Sequence, residues 1–186
     1  MVKTSVFVGV SVDGFLARPD DTLDFLETGE QEPHGFNQFY ASVDALLIGR
    51  RTYDVVLGFG GWFYGKKPVY VLSSKPLKPA PKKAVVERLS GDPHQVVAQL
   101  EARGAKHVYV DGGQVIQSFL RAGLIDRLIL TRVPVLIGQG IPLFGSLPHD
   151  IRLRAVKTRQ YKGGLVQTEY KVLPRSARPV RKSRRR

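Results

Sequence analysis

The sequence predicts an α/β fold with a mixed, mainly parallel central sheet. Strand-like and helix-like segments alternate along most of the chain, a pattern typical of this class. Two apolar strands end in glycine directly before a helix, in ALLIGRRTY (45–53) and VYVDGGQVI (108–116). Near the C-terminus the apolar residues alternate on both sides of a Gly-Gly pair, which predicts an antiparallel hairpin at the sheet edge.

The individual elements follow from periodicity and from turn residues. We expect central strands at 3–12, 44–49, 68–74, 83–89, 107–110 and 126–136, and hairpin strands at 151–156 and 165–172. We expect helices at 36–43, 50–59 and 92–104, and a fourth that follows Gly113 and stops near Gly123. The third helix has a strong start, because Asp92 can cap it and Pro93 fits its first position.

The length of 186 residues predicts one domain, residues 1–173, followed by a basic tail, residues 174–186. The chain has no cysteine, so it has no disulfide or thiolate chemistry and suits a reducing compartment. Seven of its 29 basic residues lie in the tail, which contains no acid. We expect the tail to be disordered. It either attracts nucleic acid or another polyanion, or serves only solubility.

The N-terminal apolar stretch SVFVGVSV (5–12) is too short to span a bilayer. It runs directly into Asp13 and Gly14 without a cleavage pattern, so no export signal is visible. These features predict a cytoplasmic protein without a membrane partner.

The two glycine turns point to one anion site. In a parallel sheet both turns lie at the carboxyl ends of strands, so the two following helices direct free backbone N–H groups into one crevice. Converging helix N-termini suit a pyrophosphate. Gly49, Gly112 and Gly113 would let phosphate oxygens approach the backbone, and Thr52 adds a hydroxyl. The alternative is that these glycines only close tight turns.

A third segment predicts a phosphomonoester site. VLSSK (71–75) ends a strand with Ser73, Ser74 and Lys75, and Arg50 and Arg51 begin the preceding helix. Hydroxyls combined with Arg and Lys bind a phosphate group, as is needed to recognise the 2′-phosphate of NADPH. The usual G-x-G-x-x-G fingerprint is absent, so a dinucleotide would be held differently.

The order of the motifs SVDGFLA, GRRTY, VLSS, VDGG and LIDRLILTRVPVLIGQGIPLF resembles that of the dihydrofolate reductase superfamily. The chain is most similar to its riboflavin-biosynthesis branch, the C-terminal domain of RibD, over about residues 3–173. This resemblance implies a dihydrofolate-reductase-like three-layer fold. It also implies an NADPH-dependent reductase of a pteridine- or pyrimidine-type compound, such as a 5-amino-6-(5-phosphoribosylamino)uracil reductase, and commonly a homodimer.

The resemblance also implies the cofactor contacts. The glycine turns would hold the phosphates and the pyrophosphate, the Ser-Ser pair would flank the 2′-phosphate, and three residues after the first strand would border the nicotinamide and its ribose. The predicted set is Gly9, Leu16, Ala17, Gly49, Arg50, Arg51, Thr52, Ser73, Ser74, Lys75, Asp111, Gly112, Gly113, Gln114 and Val115. Asp111 replaces a glycine that is usual in folate reductases, which favours the riboflavin-type branch.

The predicted catalytic residues are Asp24 and Thr131. Asp24 lies between Leu23 and Phe25, an apolar setting that we expect to raise the carboxyl pKa and prepare it to bind the N–H edge of a heterocycle. In the resemblance, Thr131 lies beside this acid. The alternative is that Asp24 is a helix cap or a solvated turn residue.

No metal site is expected, because the four histidines share no ligand spacing. The alternative to a reductase is a basic nucleic-acid-binding protein that acts through its tail on a non-catalytic reductase-like scaffold.

Overall fold

The structure, a computed structural model, describes residues 1–27 and 34–174. Its strands are β1 (Lys3–Ser11), β2 (Phe15–Ala17), β3 (Ala45–Gly49), β4 (Val69–Leu72), β5 (Val86–Leu89), β6 (His107–Asp111), β7 (Arg127–Val133), β8 (Ile141–Pro142), β9 (Leu153–Gln160) and β10 (Val166–Val172). Its helices are α1 (Phe36–Ser42), α2 (Arg50–Gly58), α3 (Pro93–Ala102) and α4 (Gly113–Arg121), with 3₁₀ turns at Asp24–Leu26 and Lys162–Gly164.

The main sheet has the strand order β5-β4-β3-β6-β1-β7-β10-β9 within the described residues. The pairs from β5 to β7 are parallel, and β10 pairs antiparallel with both β7 and β9. The prediction of a mainly parallel sheet with a C-terminal antiparallel hairpin is therefore confirmed. Strands β2 and β8 form a separate small antiparallel sheet.

Helices cover both faces of the main sheet, which gives three layers. On one face the sheet packs against α3 and α4 through residues such as Leu100 and Phe119. On the other it packs against α1 and α2 through Phe39 and Tyr53. Alternate residues of β1 serve the two faces, because successive side chains of a strand point in opposite directions.

The hairpin extends further than its sequence pattern predicts. Strand β9 runs to Gln160, four residues beyond the predicted end at Val156. All eight of its residues are exposed, so no buried face marks its length in the sequence. The Gly-Gly turn is present, with φ of 73° at Gly163 and 81° at Gly164.

Strand β7 is shorter than predicted and ends at Val133, directly before Pro134. Proline has no N–H to donate to a strand partner, so the ladder stops there. None of the helices in the described ranges is long and apolar enough to cross a membrane. Residues 175–186 of the predicted tail lie outside the described residues, so the domain boundary stays a prediction.

Candidate active site

A cavity of about 1160 Å³ opens at the carboxyl ends of the central parallel strands. Strands β3 and β6 each lead directly into a helix at this edge, α2 and α4. Every one of the fifteen residues that the sequence predicts for the cofactor lines this cavity. They come from five separate stretches of the chain, so the fold brings distant motifs to one place. That they bind a cofactor stays a prediction.

The N-termini of α2 and α4 converge on the cavity. Their N-cap residues are Gly49 and Gly112, and neither helix has a side-chain cap. A Cβ atom on Gly112 would overlap the hydroxyl of Thr52 and lie 3.6 Å from the backbone nitrogen of Gly49. Unpaired N–H groups and the positive ends of two helix dipoles therefore face a common space, as an anion site requires.

Contacts within the chain account for both glycines of the Gly-Gly pair. Gly112 has φ of 91°, a conformation that other residues rarely adopt. A Cβ atom on Gly113 would lie 3.0 Å from the carbonyl oxygen of Pro142 and 3.4 Å from Leu16 Cδ1. The absence of side chains thus lets α4 approach both α2 and the β2–β8 sheet, and the same absence leaves the backbone accessible from the cavity.

One end of the cavity carries hydroxyls and cations. The Ser73 hydroxyl donates to Lys75 O at 2.7 Å and accepts from Lys75 N at 3.1 Å, so it shapes its own turn. Ser74 and Lys75 are exposed. Arg50 is also exposed, and its Nε lies 3.7 Å from Asp54 Oδ2. Ser74, Lys75 and Arg50 can therefore reach an anion, whereas Ser73 holds the loop that presents them.

Arg51 interacts with the segment that follows β2. Its Nε lies 2.6 Å from Asp21 Oδ1, and its guanidinium donates to Pro19 O at 3.1 Å. Arg51 therefore anchors this segment at the rim of the cavity.

The β2–β8 sheet forms one wall of the cavity. The Asp13 carboxylate accepts from Gly138 N at 2.7 Å, and the Gln117 amide donates to Pro142 O at 3.0 Å. These bonds fasten the wall to the end of β1 and to α4. Hydrogen bonding to Ser11 and to the backbone lowers the pKa of Asp13, so the carboxylate accepts these bonds throughout the neutral range.

The expected raised pKa of Asp24 is wrong. Arg18 Nε donates to Asp24 Oδ1 at 2.6 Å, and this bond lowers the pKa of Asp24. The Asp24 side chain is 59% exposed, while its neighbours Leu23 and Leu26 face the cavity. Leu23 and Leu26 turn toward the cavity, whereas the Phe25 ring lies 5.9 Å from the Arg18 guanidinium, and Asp24 stays outside with Arg18. Its catalytic role is untested, and the geometry gives it no support.

Thr131 lies on β7 opposite Gly9 in the strand register. It is buried, at 6% exposure, and its hydroxyl accepts a hydrogen bond from the Gln167 amide at 2.9 Å. It is not among the residues that line the cavity. The structure therefore does not bring Thr131 and Asp24 together around one ligand-sized space.

Asp111, at the end of β6, is partly buried and lines the cavity. Burial raises the pKa of Asp111, although Gly112 N donates to its Oδ1 at 2.7 Å. Burial and the Asp111 charge together raise the pKa values of Tyr109 and Tyr64. Burial therefore favours the neutral form of this carboxyl group more than water does, and a cleft residue with a shifted pKa is a candidate for acid–base chemistry.

The predicted cofactor set leaves out fifteen further lining residues, some of which lie within or beside the motifs and some in segments without a motif. A helical face of α4 carries some of them, at a spacing that reads equally well as a solvated surface. The missed lining residues are Phe7, Val8, Asp21, Leu23, Leu26, Val55, Leu72, Ser90, Gly91, Tyr109, Gln117, Ser118, Arg121, Ile141 and Pro142. Within residues 1–27 and 34–174, no three His, Asp or Glu side chains are grouped to hold a metal ion.

Known proteins share this sequence and this fold. The sequence profile of the RibD C-terminal domain matches residues 3–167. The uncharacterised protein YwjB of Bacillus subtilis strain 168 is 32% identical over 171 residues, which cover 90% of this chain and 97% of YwjB. The crystal structure of a proposed riboflavin biosynthesis protein from Shewanella sp. PV-4 has a TM-score of 0.87 and 35% identity, covering 93% of this chain and 100% of that one.

A more distant likeness defines the fold class. Dihydrofolate reductase from Enterococcus faecalis, solved with NADP(H) and RAB-propyl, has a TM-score of 0.62 and 15% identity, covering 91% of this chain and 96% of that one. The expected dihydrofolate-reductase-like fold is therefore confirmed. The chain belongs to the RibD C-terminal domain family.

Proposed function

We propose that this protein is an NADPH-dependent reductase of a pteridine- or pyrimidine-type compound. The observation that carries the proposal is the meeting of two uncapped helix N-termini with Ser74, Lys75 and Arg50 on one cavity. The cavity volume of about 1160 Å³ exceeds the roughly 300–1,000 Å³ of an ordinary small-molecule pocket, so it has room for a dinucleotide and a second ligand.

The residues fit a phosphorylated dinucleotide. The N–H groups of α2 and α4 would bind the pyrophosphate, because Gly49, Gly112 and Gly113 offer backbone without side-chain cover. Ser74, Lys75 and Arg50 would bind the 2′-phosphate by charge-assisted hydrogen bonds. Gly9, with Leu16 and Ala17 of the wall, would border the nicotinamide.

The bound nicotinamide supplies the hydride, and the protein orients the acceptor and handles the proton. We assign the proton-handling role to Asp111, whose carboxyl group lines the cavity and has a raised pKa. It can accept a hydrogen bond from a ring N–H when ionised and donate one when protonated. Leu23 and Leu26 add apolar surface to the lining of the same cavity. A competing proposal gives this role to Asp24 and Thr131.

The test of cofactor choice compares NADPH and NADH titrations of the wild type and of Arg50→Ala. We expect NADPH to bind much more tightly than NADH. We expect Arg50→Ala to weaken NADPH binding by about 10- to 100-fold, since a charge-assisted bond contributes roughly 1.5–3 kcal/mol. NADH affinity should change little.

The matched control is Arg154→Ala, which removes an exposed arginine from β9, outside the cavity. It should leave both titrations unchanged. Equal affinity of the wild type for the two nucleotides would overturn the proposed 2′-phosphate site.

We further infer a homodimer. Strand β9 ends the sheet with eight exposed residues, and its side chains Leu153 and Val156 are 39% and 56% exposed. An edge strand offers unpaired N–H and C=O groups to a second strand. Light scattering should give twice the mass of one chain, and Val156→Lys should shift the protein toward monomer. A monomeric mass for the wild type would refute this inference.

A further inference from the structure

A second, smaller cavity lies on the α1 side of the sheet. Its volume is about 270 Å³, and it is separate from the candidate active site, although Phe7 contributes to both linings. Strands β7, β10 and β9 form one side of it, and Gln38, Phe39 and Ser42 of α1 contribute to another. No motif of the sequence predicts it, because the C-terminal hairpin meets β7, β1 and α1 only in the folded chain.

Four charged side chains line this cavity, and three of them are cations. They are Arg127, Glu169, Lys157 and Arg159. The acid is already paired, because Arg127 Nε donates to Glu169 Oε1 at 2.7 Å. Within residues 1–27 and 34–174, Lys157 and Arg159 have no carboxylate within salt-bridge distance. Two positive charges of the lining are therefore uncompensated by these residues.

The strand geometry brings these two cations together on one face. Lys157 and Arg159 are two residues apart on β9, so their side chains point the same way and their Cα atoms are roughly 6.6 Å apart. Lys157 lies opposite Glu169, and Arg159 opposite Gln167. Like charges at this spacing repel each other. An anion bound between them would be attracted to both and would offset that repulsion.

The rest of the lining favours a small anion over a cation or an apolar ligand. Phe7, Phe39 and Ile129 give an apolar floor, which reduces solvent screening of a charge above it. The Gln167 amide is committed to Thr131 and to His34 O, each at 2.9 Å, and so holds the floor in place. Gln38 is exposed at the rim and can donate to an anion.

We propose that this cavity, defined by Arg127, Lys157, Arg159 and Gln38, is a binding site for a small dianion of the phosphate or phosphomonoester class. Its volume holds a phosphate group with a short substituent and is too small for a dinucleotide. The site uses neither the glycine turns nor Arg50, so it stands independently of the proposed cofactor site.

The test follows backbone amide signals of the ¹⁵N-labelled full chain during titration with inorganic phosphate and, separately, with glycerol phosphate, at constant ionic strength. We expect saturable shifts at Gln38, Lys157 and Arg159 that Lys157→Gln/Arg159→Gln weakens by about 10- to 100-fold. Tighter binding of glycerol phosphate would indicate a phosphomonoester ligand, and tighter binding of inorganic phosphate would indicate the free ion.

The matched control is Arg154→Gln/Lys171→Gln, which removes the same charge from the same hairpin at positions that pair with each other and do not line the cavity. It should bind phosphate as the wild type does. Equal weakening by both double variants, shifts confined to Gly112 and Gly113, or no saturable shift at these amides would overturn the proposal. If the first double variant does not fold, Lys157→Gln and Arg159→Gln alone should each weaken binding by a smaller factor, and unchanged binding in both would overturn it.

Discussion

An aspartate precedes both α3 and α4, as the N-cap residue of α3 and one residue before the N-cap of α4, and only the first caps its helix. Asp92 accepts from His94 N at 2.9 Å and Gln95 N at 3.1 Å, and Gln95 Oε1 accepts from Asp92 N at 3.0 Å, which completes a capping box. Asp111 accepts from Gly112 N, which precedes α4, and leaves the first turn of that helix uncapped.

The difference follows from where each helix begins. The N-terminus of α3 is exposed, and its side-chain cap satisfies N–H groups that nothing else would bind. The N-terminus of α4 faces the cavity, where a capping side chain would occupy the space and the donors that an anion needs. The exposed N-terminus of α3 is thus capped by its own side chains, and the N-terminus of α4, which faces the cavity, is not.

The largest effect on stability and on nucleotide binding is expected from adding a side chain at the N-cap of α4. Gly112→Ala places a Cβ atom against Thr52 at a positive φ. We expect it to lower the free energy of unfolding by about 1–3 kcal/mol for backbone strain and by about 1–3 kcal/mol more for overlap, and to abolish nucleotide binding. Chemical denaturation and nucleotide titration measure the two effects.

Gly123→Ala is the control at the other end of α4, because Gly123 also has positive φ, 69°, but has open space around it. Gly123→Ala should lower the free energy of unfolding only by the backbone strain, and it should leave nucleotide affinity unchanged. Full binding by Gly112→Ala would show that the open start of α4 is not part of a ligand site.

The next effect concerns the aspartate itself. Asp111→Asn should lower turnover by about 10²-fold once a substrate is known, because the proton-exchanging group is lost. The pKa of Asp111 is raised in the folded state, so its ionised form costs stability as pH rises through the folded pKa. Asp111→Asn should therefore be at least as stable as the wild type at pH 8, with a smaller gain at pH 4.

Asp24→Asn removes a carboxylate charge outside the cavity. Its turnover shows whether Asp24 or Asp111 handles the proton. It should leave turnover within a few-fold of the wild type. If turnover instead falls in Asp24→Asn and not in Asp111→Asn, the assignment to Asp24 is right and ours to Asp111 is wrong.

A smaller effect is expected at the capped helix. Asp92→Ala should lower the free energy of unfolding by about 1 kcal/mol through loss of the capping box, and leave nucleotide affinity unchanged. Asp92→Asn, which can still accept both bonds, should be close to wild type. A large loss of nucleotide affinity in Asp92→Ala would contradict the proposal that the N-terminus of α4, and not that of α3, takes part in nucleotide binding.

The smallest effect is expected from removing residues 175–186. Both melting temperature and NADPH affinity should stay unchanged, while any affinity for polyanions should fall and lose its salt dependence. Loss of folding or of nucleotide binding would place the domain boundary further toward the C-terminus.

The sequence by itself determined the layers of the fold and most of the candidate cofactor set. Alternation and period are local properties, so the parallel strands, the capped start of α3 at Asp92 and the Gly-Gly turn of the hairpin could be predicted from neighbouring residues. The glycine turns after β3 and β6 predicted a shared crevice, because parallel strands place such turns at one edge.

Only the tertiary structure decided which polar groups enter that crevice. Arg18 holds Asp24 outside, the Ser73 hydroxyl is used within its own turn, and burial raises the pKa of Asp111 at the cavity wall. The cations Lys157 and Arg159 acquire a common cavity only when β9 pairs with β10 beside α1. A side chain's direction and its burial depend on contacts with residues far away in the chain, and the local pattern of a sequence does not contain them.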